Sequence, residues 1–505
     1  MVACVKTASF SGIEPVEVEV QVQICSGIAA FNIVGMPNKS INESKERIRA
    51  AFSSVGLGIP MQRIIVNLSP ADLLKEGSHF DLAIAIGLLI EMGIISQEEI
   101  DNFIVMGELS LDGRIVKVSG VLPVAIKANA QQFGVVCPKL NEREASWSGN
   151  ETIIAAMTIL EVINHFNGKA LLSYTKAPVK SVNNTAKIYD MSDIKGQIFA
   201  KRALEIAAAG SHNMLMIGPP GSGKSMLAKR MGGIMPDLTV NEMLEISIIA
   251  SIAGELSEEE GLLHNRPFRE PHSSASMAAI VGGGKNAKPG EVTLAHRGIL
   301  FLDELPEFSR NVLEALRQPI ESRTITVARV NNHATYPAHF QLIAAMNPCK
   351  CGYFGSTKTT CTKMPRCAED YQSRVSGPLF DRFDLQVEVP EVNLLDIQDD
   401  KHQESSSEIA KRVKLATDIQ QVRYAGSNIL SNAELEGEAL QQFVPLDEYC
   451  KKLIISAAEK LSLSMRSFNR VLKVSRTIAD LEGAEQVNKM HLAEALSYRM
   501  SRIRV

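Results

Sequence analysis

The sequence predicts an α/β multidomain protein built around a phosphate-binding core, and three observations predict it. Short apolar strands alternate with helical patterns over residues 1 to about 165 and again from Met191 to Pro390. The run Gly218 to Ser225 fits G-x-x-x-x-G-K-[ST] and lies between an apolar strand and a helical stretch. From Asp447 onward the pattern is helical throughout, with no proline after Pro445. A chain of 505 residues has room for about three domains at roughly 150 residues each.

In chain order, Val16 to Ile24 (VEVEVQVQI) alternates with period two, as a half-buried strand does. Ser40 to Ser53 carries Ile41, Ile48, Ala51 and Phe52 at helical spacing. Arg63 to Leu68 and Ile104 to Leu109 read as buried strands. Residues 169–190 are polar, hold Pro178, Ser181, Asn183 and Asn184, and read as a linker between a first domain at 1–168 and a core at 191–395. A polar connector is expected at 396–446, where DDKHQESSSE occupies Asp399 to Glu408, before a helical domain at 447–505.

Composition limits the function. Lys plus Arg number 53 and Asp plus Glu 57, a formal net charge of −4. A globally basic coat is therefore absent, and any nucleic-acid contact must come from a few local basic groups. One Trp and 5% aromatics argue against a binder built on stacked bases. The N-terminus, MVACVKTASF, has no apolar core followed by a cleavage site. The longest apolar stretch, Leu82 to Ile90, is far shorter than the roughly 20 residues of a membrane span. Eight cysteines are too sparse for a secreted disulfide framework. A cytoplasmic protein with no membrane partner is expected.

The loop Gly218-Pro219-Pro220-Gly221-Ser222-Gly223-Lys224-Ser225 suits a nucleotide. Glycines let backbone N–H groups turn inward around phosphate oxygens, and the following helix adds a favourable dipole. Lys224 is placed to reach the β- and γ-phosphates and Ser225 to ligand Mg²⁺. Some 80 residues on, the apolar strand Gly298 to Leu302 ends in Asp303-Glu304. Adjacent carboxylates there are costly without a cation; the first fits the Mg²⁺ shell, the second the polarisation of an attacking water. A third strand, Phe340 to Met346, ends at Asn347-Pro348. Asn347 could position that water or simply open a proline turn. Arg382, just before the strand Leu385 to Val389, could stabilise transition-state charge on a neighbouring subunit's nucleotide or form a surface pair with Asp.

Taken together, GPPGSGKS, GILFLDELPEF, LIAAMNPC, GPLFDRFDL and SMRSFNRVLKVSRTIADL resemble the magnesium-chelatase-like AAA+ ATPases, and within them the ComM (YifB) family. The resemblance extends to VGMPNKSINESKERIRAAF and LKEGSHFDLAIAIGLL near the N-terminus. It implies a Lon-protease-like (S5 domain 2-like) N-terminal domain, a P-loop AAA+ αβα core and a helical C-terminal lid, assembled as a hexameric ring. Lys224 and Ser225 match Walker A, Asp303 and Glu304 Walker B, and Asn347 sensor 1. Arg382 resembles the arginine finger and Arg466 the sensor 2 arginine, with Arg470 one turn on. The implied cofactors are ATP and Mg²⁺. The implied activity is a DNA helicase that promotes branch migration, acting on branched or single-stranded DNA during transformation.

The same resemblance bears on proteolysis. A working Lon-like domain pairs a serine, shortly after K-[DE]-G, with a lysine. Here Lys75-Glu76-Gly77 leads to Ser78, and the family's nucleophile slot holds His79. The lysine slot falls on Leu122. The domain therefore reads as non-proteolytic, an assembly or partner-binding module, with Lys117 and Lys127 as the conceivable substitutes.

Four of the eight cysteines cluster at Cys349, Cys351, Cys361 and Cys367. Four soft ligands in a reducing compartment suit a structural tetrahedral Zn²⁺. C-x-C is tighter than usual spacing, Lys350, Lys358, Lys363 and Arg366 would offset thiolate charge, and plain thiols are the alternative. Arg323 to Val330 and His333 to Tyr336 read as a hairpin, with Arg323 and Arg329 as candidate phosphate contacts or solvated groups. The Gly-rich segment Arg269 to Glu291 offers Lys285 and Lys288 in the same way. Two other functions fit a motor of this kind: a magnesium-chelatase-type subunit, or a protein-remodelling ATPase. The N-terminal domain and the absence of D-x-S-x-S count against the chelatase.

Overall fold

Two sheets organise the chain in the computed structural model, which describes residues 2–173, 189–259, 261–283, 288–329, 332–352, 354, 361, 365–391, 403–461 and 463–499. The first is seven-stranded and mixed, in the order β3-β4-β2-β1-β5-β8-β9. Its strands are β1 (Ala3–Ser11), β2 (Glu14–Cys25), β3 (Ala30–Val34), β4 (Arg63–Ser69), β5 (Phe103–Val105), β8 (Gly134–Pro138) and β9 (Ile153–Ala156). The period-two run forms β2, whose Val18, Val20 and Val22 are buried while the alternating Glu17 and Glu19 are not. β1 and β2 pair antiparallel from Ala3↔Val22 to Ser11↔Glu14.

The helices Lys39–Ser54 and Asp81–Glu91 cover one face of this sheet. The first buries Ile41, Ile48, Ala51 and Phe52, the stripe expected from sequence, and Asn38 caps it by accepting from Ile41 N. The second, carrying the longest apolar run, is buried along almost its whole length. The segment Ile104 to Leu109 is not one strand. It divides into β5 and β6 (Glu108–Leu109), which pairs with β7 (Ile115–Val116). At the break, Gly107 N bonds His79 O at 3.0 Å, leaving the sheet ladder.

The second sheet is parallel and five-stranded, in the order β11-β12-β15-β10-β16. Its strands are β10 (Met214–Ile217), β11 (Phe268–Arg269), β12 (Ile299–Leu302), β15 (Gln341–Met346) and β16 (Leu385–Glu388). β10, β12 and β15 are buried at every residue, which explains their continuous apolar sequences. The hairpin β13 (Thr324–Arg329) and β14 (Asn332–Pro337) stands outside this sheet. The N-terminal unit rests on the helix Val240–Ala253: Gly120 N donates to Ser251 O at 3.0 Å, and Lys117 Nζ to Leu256 O at 3.0 Å.

The C-terminal helices share one apolar core with a face of the parallel sheet, Val471 and Ile478 packing with Ala203, Ile206 and Met214. Where a polar connector was expected, the described part of 396–446 forms the helices Ser406–Arg423 and Gly437–Phe443. A Ser405/Glu408 capping box starts the first, and it buries Ile409, Val413 and Ala416. That apolar stripe is obscured in the sequence by the charges around it. Residues 174–188 of the expected linker lie outside the described residues, as do 392–402. Among the described residues no helix is long and apolar enough to cross a membrane.

Candidate nucleotide and metal sites

Parallel register brings three strand ends together. Ile217 of β10 stands beside Met346 of β15, and Leu302 of β12 beside Ala344. The residues that follow, Gly218, Asn347 and Asp303, therefore share one edge of the sheet. Gly223, at φ 90°, supplies the left-handed step that turns the loop into the helix Lys224–Arg230. Lys224 Nζ donates to the carbonyls of Gly218 and Pro219, each at 2.8 Å, and to Asn347 Oδ1 at 3.3 Å. Burial lowers its pKa, opposed by the charges of Asp303 and Glu304.

Ser225 Oγ donates to Asp303 Oδ2 at 2.6 Å, and Glu304 N to Asp303 Oδ1 at 2.9 Å. A hydroxyl and a carboxylate form the hard oxygen donor set that suits Mg²⁺. Glu304 is exposed and its backbone is left-handed, φ 53° and ψ 47°. For a non-glycine that costs of order 1–3 kcal/mol, strain that concentrates at functional sites. The expected loop, acidic pair and asparagine thus meet in one place.

Arg382 lies elsewhere. It precedes β16 at the N-terminal end of the sheet's strands, whereas the Gly218–Ser225 loop follows the C-terminal end of β10. One four-residue strand, about 13 Å, separates those ends. Arg382 is not a surface partner of Asp: it is 5% exposed, and its guanidinium pairs with Glu321. It lines a cavity of about 630 Å³ with Arg323, Asp384, Arg466, Arg470 and Lys473. Arg466 is exposed at this cavity, while Arg470 is drawn to Asp384, Nε to Oδ1 at 3.5 Å. Asp384 also accepts from Asn213 N at 3.0 Å. Burial alone would raise the Asp384 pKa, but Arg470, His212 and Lys473 outweigh it and hold the carboxyl well below the usual range.

Sequence reasoning missed Asp384 and Gln197. Gln197 Nε2 reaches Ser222 O at 3.3 Å and Pro390 O at 2.6 Å, tying the loop to the chain beyond β16. Its signal was the Gly196-Gln197 pair just before the helix Ile198–Gly210. Arg323 does not project from the hairpin: it pairs with Glu434 at 2.8 Å beside the cavity. The Arg329 side chain and Lys285 lie outside the described residues, and Lys288 is exposed.

The four clustered cysteines converge, with all four Sγ atoms within 4.8 Å of one another, and could hold a metal ion such as zinc. In the N-terminal unit, neither slot of a Ser–Lys dyad carries its serine or lysine. Leu122 is fully buried, and the His79 ring packs inside with Nε2–H donating to Ala8 O at 2.9 Å. Ser78 Oγ pairs with Glu108, and Lys127 Nζ with Pro15 O at 2.7 Å.

Burial pushes the His79 pKa down from 6.5 to about 4. The unfolded chain then takes up a proton across that window that the native ring refuses. Stability from this group is full above pH 6.5 and falls as pH drops towards about 4, a loss of up to roughly 3 kcal/mol. Urea unfolding of the N-terminal unit followed by hydrogen exchange is expected to show this slope, and His79→Gln, which keeps a donor for Ala8 O, to flatten it. An unchanged slope in the variant would assign the effect to another group.

Three family models match the chain. "Magnesium chelatase, subunit ChlI" covers residues 190–397, "Subunit ChlI of Mg-chelatase" residues 18–141, and "Magnesium chelatase, subunit ChlI C-terminal" residues 403–499. The chain is 42% identical over 504 residues to Competence protein ComM of Haemophilus influenzae, spanning 98% of this chain and 97% of that one. It is 40% identical over 497 residues to the protein YifB of Escherichia coli, 98% and 96% of the two chains. The Magnesium-chelatase 38 kDa subunit of Rhodobacter capsulatus is 23% identical over 354 residues, 64% of this chain and 91% of its own.

Proposed function

The chain belongs to the magnesium-chelatase-like AAA+ family that includes ComM and YifB, and from that premise we propose that it is an ATP-hydrolysing ring motor that moves DNA. In this reading it is a helicase driving branch migration in recombination during transformation. The observation that carries the proposal is similarity to a competence protein over 98% of the chain.

In the proposed mechanism Lys224 and the loop amides hold the phosphates of ATP. Ser225 and Asp303 would hold Mg²⁺, which would offset the negative charge of the phosphates. Glu304 polarises the attacking water and Asn347 orients it. Arg382 and Arg466 sit a strand's length from their own loop, so they serve the nucleotide of a neighbouring subunit. A complete site then needs two copies, as a ring supplies at every interface. With a net charge of −4, DNA contact is confined to a few basic groups per subunit, and the salt dependence per subunit is small. The N-terminal unit is a Lon-protease-like, non-proteolytic module for assembly or partner binding.

A chelatase-type motor is the second reading, favoured by the family models' descriptions. One of those models matches residues 18–141, so the N-terminal domain does not count against it. The chelatase subunit aligns with only 64% of the chain, which does. ATP hydrolysis measured with single-stranded, double-stranded and four-way-junction DNA separates the readings. Stimulation of several-fold by branched or single-stranded DNA is expected. If DNA at low salt changes neither hydrolysis nor oligomeric state, the helicase reading goes.

A further inference from the structure

We propose that Cys349, Cys351, Cys361 and Cys367 bind one structural zinc ion, and that this ion clamps the turn after β15 against the Gly218–Ser225 loop. The clamp's effect on nucleotide rests on the reading of that loop as the phosphate site; the metal itself does not.

The donor set and its spacing select the ion. A tetrahedral zinc with bonds of about 2.3 Å to sulfur sets its ligands about 3.8 Å apart. Here the Cys349 and Cys351 sulfurs lie 3.2 Å apart and no pair exceeds 4.8 Å. The observed separations bracket the required one, so closing on an ion takes shifts of about 1 Å or less. Thiolates disfavour Ca²⁺ and Mg²⁺, which take oxygen ligands. An iron–sulfur cluster would spread its cysteines over several irons. Four protein ligands leave no open position for a substrate, so the ion is structural.

Its placement gives it a task. Cys349 and Cys351 follow Asn347, which accepts from Lys224. The turn continues to Gly352, whose N–H bonds Cys349 O at 2.9 Å at a φ of 84°. A Cβ at Gly352 would stand 2.6 Å from Pro220 Cδ, so the cysteine turn rests directly on the phosphate loop. Cys367 lies on the helix Arg366–Gln372, where Gln372 Nε2 donates to Pro348 O at 2.9 Å. Just beyond, Arg374 pairs with Glu307 at 3.2 Å, three residues after Glu304. One ion would therefore join the turn, Cys361 and the helix whose C-terminal flank pairs with Glu307. Among the described residues, the apolar cluster there comprises Cys349, Cys361 and Ala368, with Phe354 and Cys367 against it. So small a core orders three segments poorly on its own, and a cross-link through four thiolates would supply the order.

Elemental analysis of the full-length protein, purified without chelator, is expected to find about one zinc per chain. Cys361→Ser and Cys351→Ser should each lose it, while Cys450→Ser, outside the cluster, keeps it. Should the cluster variants fail to fold, a mercurial titration of wild type reads the same point, releasing one zinc to a chromophoric chelator per about four thiols blocked. Stripping the ion should weaken binding of a fluorescent ATP analogue about fivefold or more, with recovery on adding Zn²⁺ alone. A folded wild type with under about a tenth of an equivalent of zinc after growth in zinc-supplemented medium overturns the site. So does zinc retained in folded Cys361→Ser. Zinc bound but nucleotide affinity unchanged on stripping overturns the clamp. Lys224→Ala that binds nucleotide normally, with zinc intact, overturns the phosphate-loop reading instead and leaves the metal site standing.

Discussion

Lys224→Ala and Glu304→Gln are each expected to cut ATP hydrolysis by about 10²-fold to 10⁴-fold, for different reasons. The Lys224 ammonium is fixed by two carbonyls at 2.8 Å and by Asn347. On the proposed reading, removing it takes away the positive charge that would meet the phosphates, so nucleotide affinity and turnover should fall together. Glu304 makes no comparable contact with the loop. Its carboxylate is presented to solvent by a left-handed backbone, and a neutral glutamine there can no longer accept a proton from water. Glu304→Gln should therefore bind ATP as wild type does and fail to turn it over. Equilibrium binding of a fluorescent analogue beside steady-state hydrolysis reads both. Wild-type hydrolysis in Glu304→Gln would remove that residue from the chemistry.

Arg382→Ala is expected to be as inactive as Lys224→Ala, by about 10³-fold or more, yet a mixture of the two should recover activity. Arg382 and the Gly218–Ser225 loop occupy opposite ends of one parallel sheet, so on the proposed reading each subunit would offer its arginine to a different site from the one its own lysine fills. In rings assembled at random from equal amounts, about a quarter of the interfaces pair an intact Lys224 with an intact Arg382. Hydrolysis near that fraction of wild type is the expected result. Co-assembly of the two variants, checked by light scattering, with no recovery would sink the shared site. Arg382→Ala has a structural cost as well, since it leaves the Glu321 carboxylate without its partner. Unfolding midpoints measured in parallel keep that cost apart from catalysis.

Much of the candidate site is legible in the sequence. G-x-x-x-x-G-K-S identifies a loop because phosphate binding constrains consecutive residues, so the signal is local. The acidic pair and Asn347 are legible for a related reason: each ends a fully buried strand, and continuous apolar runs ending in polar residues stand out. The helix Ser406–Arg423 was not legible. Its buried stripe of Ile409, Val413 and Ala416 sits among lysines and arginines that dominate the composition. The partners of Arg382 and Arg323 were not legible either, since Glu321 and Glu434 are set by tertiary packing.

The sequence by itself determined the α/β character, the loop, the acidic pair and the four-cysteine cluster, because each depends on neighbours along the chain. Only the tertiary structure decided which strand ends meet, through the order β11-β12-β15-β10-β16. It alone put Arg382, Arg466 and Asp384 at one cavity and Lys224 at the other end of the sheet. It alone drew the four thiols within 4.8 Å of one another. The physical reason is that a parallel sheet sorts residues by strand end. Positions tens to hundreds of residues apart then share an edge, and no local pattern records that.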